Sequence, residues 1–156
     1  MSVRTDYLYP VARTLLALIF VASGLAKIPG WDRTAAMMAA EGMPWVPLFL
    51  VGAIVVEVLG GLSVLFGYRA RWGALALAAF LVPTTLIFHD FWTFAGMERQ
   101  IQMIMFMKNL SIMGGLLFVA ATGAGPFSLD ARREGSGDGG ARVVGMPSSS
   151  ATARAA

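Results

Sequence analysis

The residues of this chain that could do chemistry sit where chains usually place only apolar side chains: Arg13, Lys27, Glu57, His89, Asp90, Lys108 and Asn109 all fall inside or at the ends of long hydrophobic runs. A charge at the centre of a bilayer costs about 2.5–3.5 kcal/mol even on lenient insertion scales. Such groups have to face one another, line a wet crevice or meet a ligand, so they are the candidates for ligand binding and proton handling. None is assigned a catalytic role. The chemistry excluded is equally clear. There is no cysteine and a single histidine, so disulfides, thiolate metal sites and iron–sulfur ligation are out, and the donors for a zinc site or a bis-histidine haem are missing. No metal and no covalently bound cofactor is expected. Met97, Met103, Met105, Met107 and Met113 are soft donors in principle, but methionine at such density reads as adaptable packing. Nucleophile elbows, phosphate loops and HExxH patterns are absent.

The elements that must position these groups follow from composition. Of 156 residues, 57% are hydrophobic and only 13% charged, against roughly 25% charged in soluble domains. The net charge of +3 comes from positives at the ends of apolar runs, which sets topology and gives no reason to expect a nucleic-acid partner. Runs at 8–28, 46–66, 72–88 and 101–121 are near the roughly 20 residues that a helix needs to cross a hydrocarbon core. The fold class predicted is all-α: a four-helix transmembrane bundle over 1–122, followed by a disordered cytoplasmic tail over 123–156 rich in Gly, Ser and Ala. Arg13 inside the first run marks it as a retained span and not a cleaved signal. Between the first two runs, RTAAMMAA (Arg33–Ala40) has the pattern of a short amphipathic helix. Pro83 is expected to kink the third span or frame a cavity. Arg4, Arg69, Arg71, Arg132 and Arg133 on one side outweigh Lys27, Arg33 and Arg99 on the other, which puts both termini in the cytoplasm. Trp31, Trp45, Phe91, Trp92 and Phe94 would then form an aromatic belt at the outer interface.

Helical spacing sorts the charges onto faces. Glu57 shares a stripe with Ala53, Gly60, Gly61 and Val64, small residues that let another helix approach. Arg13, Ala17, Phe20, Gly24 and Lys27 form a second stripe. Lys108, Ser111, Ile112 and Gly115 form a third, with Asn109 beside it. These faces predict a polar cleft lined by Ser23, Lys27, Glu57, His89, Asp90, Lys108 and Asn109, with Arg13 within reach of Glu57.

Four segments taken together resemble the DoxX/DoxD-like family of small bacterial membrane proteins: Arg13 with LLALIFVASGLAK (Leu15–Lys27), EVLGGLSVLFGYRAR (Glu57–Arg71), HDFW (His89–Trp92) and KNLSIMGGLL (Lys108–Leu117). They run in the family's order and cover roughly residues 8–122; the tail has no counterpart. The resemblance implies a multi-pass protein of the bacterial inner membrane. Some members are linked to quinone-dependent sulfur oxidation or to oxidative-stress enzymes as membrane partners. It therefore implies a quinone as ligand, a soluble redox partner, and a place as membrane subunit of a quinone-linked oxidoreductase, with turnover left open. Two other functions fit the same residues. One is a non-catalytic anchor for a soluble oxidoreductase. The other is a small proton-linked transporter with Glu57 as relay, for which a homo-oligomer is expected because four spans leave little room for alternating access.

Overall fold

In lipid, a backbone N–H or C=O has no water to bond, so an apolar run satisfies its own backbone by becoming a helix. The computed structural model describes residues 3–133, with side chains from residue 5 onward; the tail expected over 134–156 lies outside the described residues. The elements run α1 (Val3–Asp6), α2 (Leu8–Ala26), α3 (Trp31–Ala40), α4 (Val46–Phe66), α5 (Ala70–Phe88), a single 3₁₀ turn (Phe91–Thr93) and α6 (Gly96–Thr122). Among the described residues, four helices are long and apolar enough to cross a membrane, α2, α4, α5 and α6. α6 begins at Gly96, ahead of the boundary at 101 predicted from hydropathy, because Glu98, Arg99 and Gln102 extend it as a polar turn beyond the apolar zone. Its 27 residues rise about 40 Å against a hydrocarbon thickness of about 30 Å. α3, with 10 residues, is too short to cross and forms the expected amphipathic helix between the first two spans.

Successive spans pack side by side in chain order. The array closes where α2 meets α6, and there Leu16 lies against Gly115. The predicted stripes of α2 and α4 are the buried ones: Arg13, Ala17, Phe20 and Gly24 on the first, and Ala53, Glu57, Gly60, Gly61 and Val64 on the second. The close approach has a steric basis. A Cβ on Gly61 would stand 2.7 Å from Val21 Cγ2, and one on Gly60 2.8 Å from Leu77 Cγ. α6 departs from expectation. Its buried residues are Asn109, Leu116 and Val119, while Lys108 and Ser111 are exposed. Adjacent residues on a helix point about 100° apart, so the inward stripe runs through Asn109 and the charge beside it sits on the flank.

The apolar core gathers at one end of the bundle, where Ala17, Val64, Ala70, Ala74, Leu77, Leu116, Val119 and Ala124 meet. That end is sealed by a segment expected to be disordered. Residues 123–133 fold back beneath the helices. Arg13 donates to Ala124 O at 2.7 Å and Phe127 O at 3.0 Å, and Tyr7 stacks on Phe127 with centroids 5.2 Å apart. Asp130 accepts from the backbone N–H groups of Arg69 (2.8 Å) and Ala70 (3.1 Å), capping α5 from outside. Arg69 is left-handed at φ +49°, an unfavourable conformation for a side-chain-bearing residue that this cap helps to hold. Composition favoured disorder here because little apolar area is available. What orders the segment is a buried guanidinium bonded to its carbonyls.

Two outcomes are expected. Gly61→Val should destabilise the purified protein by about 1–3 kcal/mol through overpacking, whereas Gly114→Ala, where a Cβ meets nothing within 4 Å, should leave thermal unfolding in detergent unchanged. Arg13→Met should release residues 123–133, visible as faster amide hydrogen exchange there and at the Arg69 and Ala70 amides that Asp130 caps, with exchange in the interiors of α4 and α5 little altered.

Candidate functional site

The end of the bundle away from the core is open. There the spans leave a cavity of about 420 Å³ whose walls include Phe20, Phe80, Leu81, Ile87, Phe88 and Ile112. Its polar groups are Ser23, Lys27, Thr34, Glu57, Thr84, His89, Lys108 and Asn109. α3 closes one side with Thr34, Met37 and Met38, and Met43 follows from the next loop. Methionines there give a wall that can repack around different shapes. Pro83 lines the cavity within an α5 that runs uninterrupted from Ala70 to Phe88, so it frames the space without ending the helix.

The electrostatic centre is the pair on the α2 and α4 stripes. Lys27 Nζ lies 2.7 Å from Glu57 Oε2 and 3.0 Å from Oε1, and donates also to Ser23 Oγ at 2.7 Å. Ser23 Oγ in turn donates to Glu57 Oε1 at 3.2 Å. The carboxylate side chain is 7% exposed and the lysine 20%; the acid is desolvated while the base keeps an edge on the cavity. Local sequence explains why they meet. Lys27 caps the end of α2, so its flexible stem can fold back one turn along the helix. Gly24 lies in the same turn, and a Cβ there would be 3.1 Å from Glu57 Cβ and 2.8 Å from Val58 Cγ2. Without that Cβ, the two helices come close enough for the short reach to work.

On the opposite wall the groups are less fully engaged. His89 Nδ1 is 2.9 Å from Gln102 Oε1, and Gln102 Nε2 donates to Glu98 Oε1 at 3.1 Å. Since the amide nitrogen is given to the carboxylate, its oxygen faces the ring. The neutral imidazole then carries its proton on Nδ1 and keeps Nε2 as an acceptor. Phe91 and Trp92 pack edge-on against Phe106, which holds the turn after His89 onto α6. Asn109 is buried and donates to Thr85 Oγ1 at 3.1 Å. Lys108 Nζ has only Met105 Sδ, at 3.2 Å, among the described residues, and thioether sulfur is a weak acceptor.

Five of the sequence candidates therefore line one cavity: Lys27, Glu57, His89, Lys108 and Asn109. Two do not. Arg13, expected beside Glu57, is turned to the other end of the bundle and bonds the carbonyls of Ala124 and Phe127. Its long side chain runs toward the near end of its own helix, where unpaired carbonyls offer hydrogen bonds without a second buried charge. Asp90 lies outside the cavity lining, accepting from Thr93 Oγ1 at 2.9 Å to close the 3₁₀ turn. Gln102 was not foreseen; its position thirteen residues after His89 becomes meaningful only once the turn folds α6 back along α5. Among the described residues, no group of three or more His, Cys, Asp or Glu could hold a metal ion.

This is a small integral membrane protein of four spans whose outstanding feature is a charged cleft between them. Residues 9–90 match the DoxX family model. Inner membrane protein YqjF of Escherichia coli is 41% identical over 120 residues, covering 77% of this chain and 87% of that protein. Inner membrane protein YphA of the same organism is 36% identical over 122 residues, covering 78% and 87%. The chain belongs to the DoxX family. A more distant likeness, 30% identity over 81 residues, reaches the ER-derived vesicles protein ERV29 of Saccharomyces cerevisiae, covering 52% of this chain and 26% of that protein. No solved structure matches.

A double-mutant cycle on Lys27→Met and Glu57→Gln tests the pair. Each single change should destabilise the protein, since it strands the partner in a desolvated site. The double variant should be less damaged than the sum by about 1–3 kcal/mol in unfolding free energy; strict additivity would mean that the ion pair contributes no coupling.

Proposed function

We propose that this protein is a multi-pass component of the bacterial inner membrane that binds the head group of a lipid-soluble quinone in its cleft and serves a redox or oxidative-stress system through a soluble partner. The observation that carries the reading is the cleft itself: about 420 Å³ of largely apolar space, within the usual range for small-molecule sites, with Lys108 Nζ and His89 only partly satisfied on one wall. A quinone head offers carbonyl oxygens, or hydroxyls when reduced, on a flat apolar ring. Lys108 can donate to a carbonyl. His89, with Nδ1 committed to Gln102, offers Nε2 as acceptor to a hydroxyl and, once protonated, as donor to a carbonyl. The Phe20, Phe80 and Phe88 rings suit an apolar ring and tail. A bound quinone would supply two-electron, two-proton chemistry, and the electrons would come from the soluble partner. Lys27, Ser23 and Glu57 form a hydrogen-bonded set on which a proton can be held. Inner-membrane relatives support the location, and the arginines at the α4–α5 turn support cytoplasmic termini.

Binding of a short-chain quinone to the purified full chain, followed by isothermal titration, tests this. His89→Ala and Lys108→Met should each weaken binding about tenfold or more, as loss of a hydrogen bond to a charged or poorly solvated partner does, and Arg13→Met should not. Absence of binding, or wild-type affinity in both cleft variants, removes the quinone. Proton flux into liposomes that vanishes in Glu57→Gln would then favour the transporter.

A further inference from the structure

A second cavity, of about 590 Å³, lies at the opposite end of the bundle, enclosed by the α4–α5 turn, the start of α5, the end of α6 and residues 123–133. Three arginines line it from two separate stretches of chain: Arg69 and Arg71 at the start of α5, and Arg133 after α6. Arg69 and Arg71 side chains make no hydrogen bond or ion pair with another described residue, and Arg133 lies over the Tyr68 ring at 5.4 Å. The acidic member of the wall, Asp130, is already engaged by the backbone N–H groups of Arg69 and Ala70. Its single negative charge faces three arginines in this wall, so the cavity keeps a net positive charge.

The backbone is shaped to this arrangement. Gly123 has φ +88°, and a Cβ there would stand 3.3–3.4 Å from Arg71 Nε and Nη2. Glycine at this point both permits the turn after α6 and lets the Arg71 guanidinium lie against it. Depth matters equally. The cavity sits level with the first residues of α5 and the last of α6, where two membrane-crossing helices end. Trp72 is 73% exposed and Leu75, one turn further along α5, 44% exposed, so the same surface continues from the cavity into the apolar zone. A soluble anion would use the arginines and leave this apolar continuation without purpose. A phospholipid uses both.

We propose that this cavity binds the phosphate of one anionic phospholipid, with Arg69, Arg71 and Arg133 around the headgroup and an acyl chain laid along Trp72 and Leu75. Arginine suits phosphate because its planar fork presents paired donors, and basic pockets between spans at the membrane interface take anionic headgroups. The site is distinct from the cleft at the other end and does not depend on what occupies that cleft. It would fix residues 123–133 against lipid as well as against Arg13.

Native mass spectrometry of the full chain in detergent tests the proposal, with dioleoyl phosphatidylglycerol, dioleoyl phosphatidylcholine and soluble glycerol phosphate added in separate arms. Phosphatidylglycerol should be retained about tenfold or more tightly than phosphatidylcholine, and glycerol phosphate should bind far more weakly. Arg69→Gln/Arg71→Gln should bring phosphatidylglycerol down to the phosphatidylcholine level, while Arg99→Gln, which removes an exposed charge at the other end, should not. Equal retention of the two lipids by the wild-type protein overturns the proposal, and so does undiminished phosphatidylglycerol binding in the double variant. Equal loss in Arg99→Gln would reduce the effect to net charge and would likewise overturn a defined site. Glycerol phosphate binding as tight as lipid would make this a soluble-phosphate site, which also overturns it.

Discussion

A carboxylate placed in the middle of an apolar span cannot be left to itself. Glu57 sits beyond the midpoint of α4 with a side chain almost wholly removed from solvent, and the cost of that position is met by Lys27 and Ser23. Much of the surrounding sequence serves this contact. Gly24 removes the side chain that would separate α2 from α4 at the level of the carboxylate. Gly60 and Gly61, one turn away, bring Leu77 and Val21 against the same helix. A stripe of small residues would be a weak packing surface in water, where large apolar groups are needed to gain burial. In lipid, close backbone approach is what holds helices together, so the same glycines that admit the ion pair also hold α2, α4 and α5 together.

The two cations of α2 divide the bundle between them. Arg13 and Lys27 lie on one helical face fourteen residues apart, close to four turns, yet they serve opposite ends. Arg13 satisfies carbonyls in the segment after α6 and closes the packed end. Lys27 satisfies a carboxylate and leaves the far end open enough for a cavity. Stability is concentrated around Ala17, Leu77 and Leu116, and the polar groups are kept where the packing gives way. Phe20 and Leu81 belong to both core and cavity wall, forming the boundary where the packed core gives way to the cavity.

The fold was legible from the sequence because its main determinants are periodic. Apolar runs of sufficient length set the spans, and the buried faces of α2 and α4 follow from three- and four-residue spacing, including the position of Glu57 among small residues. Where the reading failed, the controlling interaction was non-local or depended on a single helical step. Spacing placed Arg13 on the correct face but could not tell which end its long side chain would reach; that was decided by carbonyls more than a hundred residues away. The segment from Gly123 looked unfoldable by composition, because a backbone-bonding arginine and a carboxylate cap leave no hydrophobic trace. Around Lys108 and Asn109 apolar residues fall on every face of α6, so the pattern could not distinguish the face of Asn109 from that of Lys108, and neighbouring residues differ by a quarter turn or so.

That last ambiguity bears on how the cleft behaves. Asn109 points inward and one of its amide N–H groups is given to Thr85, so it braces α6 against α5 and keeps its second N–H and its carbonyl oxygen for other bonds. Lys108 stands at the lip, exposed, with a sulfur atom as its one described neighbour. The cleft is thus electrically uneven: a neutralised pair on the α2–α4 wall and an uncompensated cation on the α6 side. An occupant with carbonyl or anionic oxygens gains more from Lys108 than from Lys27, whose proton donors already face Glu57 and Ser23. The ion pair therefore shapes the cavity and holds its walls in place, while unused hydrogen-bonding capacity lies across from it, at Lys108 Nζ on α6 and at Nε2 of His89 at the end of α5.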